Sequence, residues 1–197
     1  MHKGEAVDKK REKEIYLLDC TLRDGGNCLE DVWDLQNEKV VFTKEFQETF
    51  LHYMSNSNID IIEYGVVDNN NTDRYGFSYF DNVDEAATLI PNEISKKQIY
   101  ALGSNIPEDK NKYFDTSGVD KCEGVRVYLR YSELDKSLKY CKKLVNDGYK
   151  VFLQNALTMR YSEYDLDCVI ESANEMGAYA VYFVDSNGKL YPLSRTF

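Results

Sequence analysis

Ser132-Glu133-Leu134-Asp135 and Ser162-Glu163-Tyr164-Asp165 begin two segments that share one order of features. In each segment, a serine followed by an acid three residues later predicts a capped helix, a glycine ends that helix, and an apolar run follows. The glycines are Gly148 and Gly177, and the apolar runs lie at residues 149–154 and 180–185. A helix followed by a buried strand, twice in succession, is typical of a parallel α/β fold.

Apolar runs upstream of this repeat predict four further strands, at residues 15–18, 59–67, 98–102 and 124–129. Thr43 is suited to cap a helix between the first two of them, because apolar residues follow it at helical spacing. Six strands separated by helical or loop sequence predict buried strands inside, helices outside, and ligands at the carboxyl ends of the strands.

Composition limits the classes of function. The 197 residues are 43% hydrophobic and 29% charged, as expected for one globular domain. A net charge of −10 and an isoelectric point near 4.8 argue against general binding to nucleic acid or to an anionic membrane. Residues 1–14 form a charged N-terminal arm without the apolar centre of a signal peptide, and no run could cross a bilayer, so we expect a cytoplasmic protein.

Cysteine and histidine content disfavours a zinc site. The five cysteines contain no C-x-x-C pair, so we expect reduced thiols, most of them packed as small apolar side chains. The only histidines are His2 and His52, and His52 lies beside the apolar stripe of its predicted helix, where an exposed side chain is expected.

The stretch Leu18-Asp19-Cys20-Thr21-Leu22-Arg23-Asp24-Gly25-Gly26-Asn27 ends the first predicted strand with adjacent opposite charges and then two glycines. A break on glycine at this point would place the charges at the carboxyl end of the strand, where α/β proteins bind ligands, and glycine lets the backbone approach a ligand closely. Polar residues at the other strand ends are Glu63, Arg130, Gln154, Asn155, Asp185, Ser186 and Asn187.

Two interpretations of these charges remain open. Carboxylates beside an arginine can hold a divalent cation and an oxyanion together, which would stabilise an enolate formed next to a carboxylate, as in reactions of 2-oxo acids. The same residues could instead form a buried structural ion-pair network. In either case Glu63, which lies among apolar neighbours, requires a cation or a hydrogen-bond donor opposite it.

Residues 19–26, Asp-Cys-Thr-Leu-Arg-Asp-Gly-Gly, resemble the D-x-T-L-R-D-G signature of the pyruvate-carboxyltransferase-like, or DRE-type, TIM-barrel metallolyases. This family includes 4-hydroxy-2-oxovalerate aldolase and HMG-CoA lyase. Ile62-Glu63-Tyr64-Gly65 resembles the family's I-E-x-G strand, and similar segments follow at residues 149–162 and 182–192. The resemblance implies an α/β fold of parallel (β/α) TIM-barrel type, with about six of its eight strands in residues 15–197.

The resemblance also implies a chemistry: a divalent-metal-dependent aldolase or lyase that acts on a 2-oxo acid through a pyruvate-type enolate. By position, Asp24 corresponds to a ligand of Mn²⁺ or Mg²⁺, Arg23 to the residue that stabilises the enolate, and Glu63 to the third member of this catalytic group. Asn27 and Gln154 are expected to contact the substrate. Asp19 and Asp185 are expected to support the site without binding the metal directly.

Three features depart from the family pattern. The two histidine ligands of the family's H-x-H strand are absent, Asn27 stands where the aldolase has a catalytic histidine, and six strands do not close a barrel of eight. We therefore expect a C-terminally truncated form with weak or no aldolase activity. The alternative is a non-catalytic barrel remnant that binds a ligand or partner, or that completes its barrel by forming a homo-oligomer.

Overall fold

The computed structural model describes residues 15–36, 40–68, 75–91, 98–109, 112–186 and 188, so the predicted N-terminal arm lies outside the described residues. The strands are β1 (Leu18–Asp19), β2 (Ile61–Val67), β3 (Tyr79–Phe80), β4 (Ile99–Ser104), β5 (Gly124–Leu129), β6 (Lys150–Asn155) and β7 (Ala180–Phe183). The helices are α1 (Thr21–Gln36), α2 (Lys44–Ser55), α3 (Val83–Ala87), α4 (Leu134–Asn146) and α5 (Glu163–Met176).

Within the described part of the chain, the strands form one parallel sheet in the order β1-β2-β4-β5-β6-β7. The short strand β3 pairs with the carboxyl end of β2, on the same edge of β2 that pairs with β1 at its amino end. The sheet curls into a half-barrel with helices between its strands. This architecture confirms the prediction of a partial parallel α/β barrel.

Side chains along each strand alternate between two faces of the sheet. The face that packs against the helices carries the larger cluster, which we call the main core; it includes Ile62, Tyr64 and Leu102. The opposite, inward face carries a smaller cluster, the concave cluster, which consists of Ile61, Ile99, Ala101 and Phe152 with Ala180 and Tyr182 packed against it. Glu63 follows the same alternation and therefore lies on the concave face, one position away from two residues of the main core.

The two repeated helix starts differ in the structure. Ser162 and Asp165 form the predicted capping box, and Gly177 ends α5 with a left-handed φ of 74°. At the first repeat a 3-10 turn (Tyr131–Glu133) precedes α4, and no side chain caps the helix, so the capping box predicted at Ser132 is wrong. Thr43 caps α2 as predicted, because its hydroxyl accepts a hydrogen bond from the Phe46 amide at 3.1 Å.

The prediction of a buried first strand at residues 15–18 is wrong. Strand β1 contains only Leu18 and Asp19, and Ile15 is 84% exposed. Strand β1 lies at the edge of the sheet and pairs only with β2 among the described strands. Its one apolar residue, Leu18, is 37% exposed.

The predicted break on Gly25-Gly26 is also wrong, because both glycines lie inside helix α1. The helix begins at once after β1: the Asp19 carboxylate accepts hydrogen bonds from the amide and the hydroxyl of Thr21, at 3.1 and 2.8 Å. Gly26 serves packing and not a turn, since a Cβ there would lie 2.0 Å from the Phe77 carbonyl oxygen.

Two further expectations concern the chain as a whole. All five cysteines are free thiols, but only Cys122 and Cys141 are buried, so the prediction that most of them pack as small apolar side chains is wrong. Among the described residues, no helix combines the length and the apolar character that a membrane-spanning helix needs.

Candidate functional site at the carboxyl ends of the strands

Arg23 lies on the first turns of α1 and extends towards the concave face of β2. Its Nε lies 3.4 Å from Glu63 Oε2, which is an ion pair without the alignment of a hydrogen bond. Its Nη1 donates to Asp24 Oδ1 at 2.8 Å. Because Asp19 fixes the start of α1, it also fixes the position of Arg23 over the sheet.

Glu63 is the centre of a buried charge network. Its carboxylate is 2% exposed, and the Nε of Arg126 on β5 donates a short hydrogen bond to its Oε1. Each oxygen of Glu63 therefore faces a guanidinium, one from Arg126 and the other from Arg23. A buried carboxylate held by two arginines is fixed in position, and it in turn restrains the Arg23 side chain.

Arg126 also holds Tyr128, two residues further along β5. The Arg126 Nη2 donates to the Tyr128 hydroxyl at 2.8 Å, and its guanidinium lies 4.6 Å from the centre of the Tyr128 ring. The two side chains share the concave face because they are two positions apart on one strand.

Protonation states follow from these surroundings. Partial burial opposes the charge on Arg23, but Glu63, Tyr128 and Asp24 together raise its pKa, so it remains a cation. Burial raises the pKa of Tyr128, although Arg126 partly offsets that effect. Burial and the nearby Glu63 raise the pKa of Tyr182 to about 12. Both phenols therefore carry their protons at neutral pH.

A cavity of about 310 Å³, which we call the Arg23 cavity, opens beside this network. Its polar lining consists of Arg23, Asn27, Tyr79, Asn105, Tyr128 and Arg130. Two of these side chains are guanidinium groups, and none of the described lining residues is acidic. In a chain of net charge −10, such a cavity favours a small anionic ligand.

Asn105 connects the rim of the Arg23 cavity to the interior. Its Oδ1 lies 3.4 Å from the donor Nη2 of Arg130, and its Nδ2 donates to Asp68 Oδ2 at 3.0 Å. These two contacts define which end of the amide faces Arg130.

The structure brings some of the predicted site residues together and leaves others apart. Asn27 lies in the Arg23 cavity, where its Oδ1 accepts a short hydrogen bond from the Tyr79 hydroxyl. Gln154 lies on the concave side of β6, opposite Tyr182 in register, and its buried Oε1 has no hydrogen-bond partner among the described residues. Gln154 does not line the cavity, and Asp185 is exposed just after β7.

The metal ligands implied by the family resemblance are only partly matched by the donors present. Asp24 is 62% exposed and contacts Arg23, and both oxygens of Glu63 face guanidinium groups. His52, the only histidine in the described segments, is exposed on α2. Across those segments, no three acidic, cysteine or histidine side chains converge, so the described residues do not by themselves fit a divalent cation.

Sequence reasoning missed Arg126, Tyr128, Tyr79 and Asn105. A signal for the first two was present: Gly124, Arg126 and Tyr128 occupy alternate positions of a predicted strand, so a charged residue and a tyrosine share one face with a glycine. Tyr79 ends one polar stretch and Asn105 begins another just after β4, neither stretch is periodic, and only the fold places the two residues at the cavity.

No family model matches the sequence, and no curated protein matches it either. Among solved structures, the chain is similar to the N-terminal domain of a putative aldolase from Bacteroides vulgatus, with a TM-score of 0.54 and 14% identity over 82% of this chain and 52% of that one. It is also similar to a truncated form of 3-deoxy-D-arabino-heptulosonate 7-phosphate synthase from Thermotoga maritima, with a TM-score of 0.41 and 10% identity over 72% of this chain and 45% of that one. The chain thus spans about half the length of each. At 14% identity, the likeness to the first structure extends to the fold and not to the activity.

Proposed function

We propose that this protein is an aldolase or lyase that makes or breaks a carbon–carbon bond of a 2-oxo acid through an enolate. One observation carries the proposal. Arg23 lines a cavity at the carboxyl ends of the strands and is held there by the buried Glu63, which Arg126 holds from its other side. An arginine restrained in this way is a donor that is already in place when negative charge develops.

The role of Arg23 follows from the charge of the reaction. When a 2-oxo acid forms an enolate, negative charge moves onto its carbonyl oxygen, beside a carboxylate that is already charged. A guanidinium presents several donors in a fixed plane and stays charged at neutral pH, so it stabilises the enolate more than the neutral ketone. Glu63 keeps its pairing throughout and acts as a positioning residue.

The anionic character of the substrate is supported by the cavity lining. Arg130 adds a second guanidinium. Asn105 accepts a hydrogen bond from it and donates another to Asp68. A carboxylate is a natural ligand for such a group. Asn27 supplies an amide that can position a substrate but cannot remove a proton, because amides do not titrate.

Metal dependence belongs to the proposal but rests on the family resemblance alone. Asp24 is the single metal ligand that the resemblance assigns within the described residues, and a Mn²⁺ or Mg²⁺ site would need other donors besides it. Arg23, positioned by Glu63, would hold the substrate in the same way with or without the cation. The metal is therefore a separate variable in the test.

The test measures by NMR how fast the protein, as its natural gene encodes it, exchanges the methyl protons of pyruvate for deuterium. The rate is measured with and without added Mn²⁺, and we expect it to exceed the rate in buffer alone. The Arg23→Gln variant should exchange these protons at least about 100-fold more slowly. Arg160→Gln is the matched control, since Arg160 is exposed and lies outside the cavity lining.

Exchange no faster than in buffer under both conditions would contradict the proposal. Exchange that requires Mn²⁺ and is lost in Asp24→Asn would support the metal-dependent form. Equal rates for Arg23→Gln and Arg160→Gln would show that the reaction does not use the Arg23 cavity.

A second candidate is a non-catalytic binding module on the same fold. Asn27, where the resemblance expects a histidine, is engaged by the Tyr79 hydroxyl, and this contact favours positioning over proton transfer. In this candidate a second copy of the chain could cover the exposed apolar residues at β1 and β7, which include Leu18 and Phe183. Ligand binding without any exchange, together with a dimer by light scattering, would favour it.

A further inference from the structure

Two tyrosines line the Arg23 cavity, and the hydrogen bonds of their hydroxyls differ in direction. The Tyr79 hydroxyl donates to Asn27 Oδ1, so its proton is already in use. The Tyr128 hydroxyl oxygen accepts from Arg126 Nη2 at 2.8 Å. Because a guanidinium can only donate, that contact leaves the hydroxyl proton of Tyr128 in place.

The Tyr128 hydroxyl proton has no acceptor among the described residues, and Arg126 holds the side chain in position. The Arg126 guanidinium lies against its ring, 4.6 Å from the ring centre. Gly103 leaves room for the hydroxyl, since a Cβ at this position would lie 3.0 Å from the Tyr128 oxygen. Burial also keeps the phenol protonated.

We propose that the Tyr128 hydroxyl is a second donor of the site and that, together with Arg23, it binds an oxygen of a small anionic carbonyl compound or of its enolate. The interaction is a hydrogen bond and transfers no proton. The ligand class rests on the proposed function, whereas the donor assignment rests on the geometry of Tyr128, Arg126 and Gly103. Arg126 is a positioning residue in this arrangement, because it acts through Tyr128 and Glu63.

The network gives a physical reason for pairing these two donors. A hydroxyl that accepts a hydrogen bond from a cation becomes a stronger donor through its own proton. Arg126 provides that bond to Tyr128 and also pairs with Glu63, whose other oxygen faces Arg23. One buried carboxylate and one buried guanidinium therefore fix both donors relative to each other.

The test uses oxalate, a planar dianion with the shape of the pyruvate enolate, and measures its binding by calorimetry. We expect Tyr128→Phe to weaken oxalate binding about tenfold, which corresponds to one hydrogen bond to a charged acceptor. Tyr79→Phe should have a smaller effect, of about threefold or less, because its proton serves Asn27. Tyr53→Phe, on the exposed surface of α2, should bind oxalate as the wild type does.

A second variant covers the case in which Tyr128→Phe does not fold, since that substitution removes the acceptor of the Nη2 of the buried Arg126. Gly103→Ala keeps the phenol but crowds its oxygen, and we expect it to weaken oxalate binding about threefold. Circular dichroism establishes which variants are folded. Oxalate binding that is unchanged in every folded variant at Tyr128 and Gly103, or that is absent in the wild type, would overturn the inference.

The same variants separate this inference from the proposed function. If Tyr128→Phe weakens oxalate binding but no protein exchanges pyruvate protons, the donor assignment holds and the proposed catalysis fails. If the wild type and Tyr128→Phe exchange pyruvate protons at equal rates and bind oxalate equally, the donor assignment fails while the proposed function stands.

Discussion

The two faces of the sheet are built from alternate residues of the same strands, and they differ in chemistry. On β2, Ile62 and Tyr64 enter the main core against the helices, whereas Glu63 between them faces the concave side and meets two arginines. The main core is broad and apolar; the concave cluster is small, and charged and phenolic groups lie beside it. The stability of the fold is thus expected to reside mainly on the helix side, which leaves the concave face available for groups that are costly to bury.

The largest expected effect is the loss of charge at the centre of the concave face. Glu63→Gln leaves the buried Arg126 guanidinium without its anion, and we expect unfolding free energy to fall by about 3–5 kcal/mol. Urea denaturation measures this change. Asp24→Asn is the control: it removes the other carboxylate that contacts Arg23, but at an exposed position, and should cost about 1 kcal/mol or less. Similar losses for the two variants would mean that Glu63 is not buried with its partners.

The next prediction compares the two faces on a single strand. On β4, Leu102 is fully buried in the main core, and Ile99 is 6% exposed in the concave cluster. We expect Leu102→Ala to cost about 3–4 kcal/mol and Ile99→Ala about 2 kcal/mol, because fewer neighbours surround the cavity left on the concave side. Denaturation midpoints with unchanged slopes would measure both. A larger loss for Ile99→Ala would reverse the assignment of stability to the helix side.

The contrast between the faces also explains how much the sequence predicts. Strand β5 has the predicted bounds, residues 124–129, and β2, β4, β6 and β7 lie within a few residues of theirs, because predominantly apolar runs mark buried parallel strands. The serine and the acid three residues later also predict the capped helix that begins after Ser162. The prediction from apolar runs fails at residues 15–18, because an apolar run does not reveal whether its strand lies at the edge of the sheet.

The candidate site could be predicted only in part. The position of Glu63 among apolar residues implies a buried cation opposite it, and Arg126 meets that requirement. Which cation lies opposite Glu63 depends on the pairing register of β2 with β4 and of β4 with β5, and no local sequence pattern encodes these registers. The loop before Tyr79 includes residues 69–74, which lie outside the described part of the chain.

Adjacent glycines on α1 provide a sharper test of the packing beneath Arg23. A Cβ at Gly26 would lie 2.0 Å from the backbone oxygen of Phe77, whereas one at Gly25 would lie 3.1 Å from the side chain of Phe42. We expect Gly26→Ala to cost about 2 kcal/mol despite the better helix propensity of alanine, because backbone has to move. Gly25→Ala should change stability by about 1 kcal/mol or less. Equal stabilities of the two variants would show that α1 does not approach residue 77 so closely.

The last expected effect, which is modest for any single thiol, belongs to the main core and depends on pH. Burial raises the pKa of Cys122 and of Cys141 to about 12, so in the folded protein each thiol keeps its proton above pH 9, where an unfolded thiol loses it. The native state then binds more protons than the unfolded state, and unfolding free energy falls as pH rises above about 9, with a slope that approaches about 1.4 kcal/mol per pH unit for each thiol. Urea denaturation at pH 8, 9 and 10 measures this slope. Cys122→Ala should reduce the slope by the contribution of one thiol. An unchanged slope in this variant would mean that water reaches Cys122 on the helix side of the sheet.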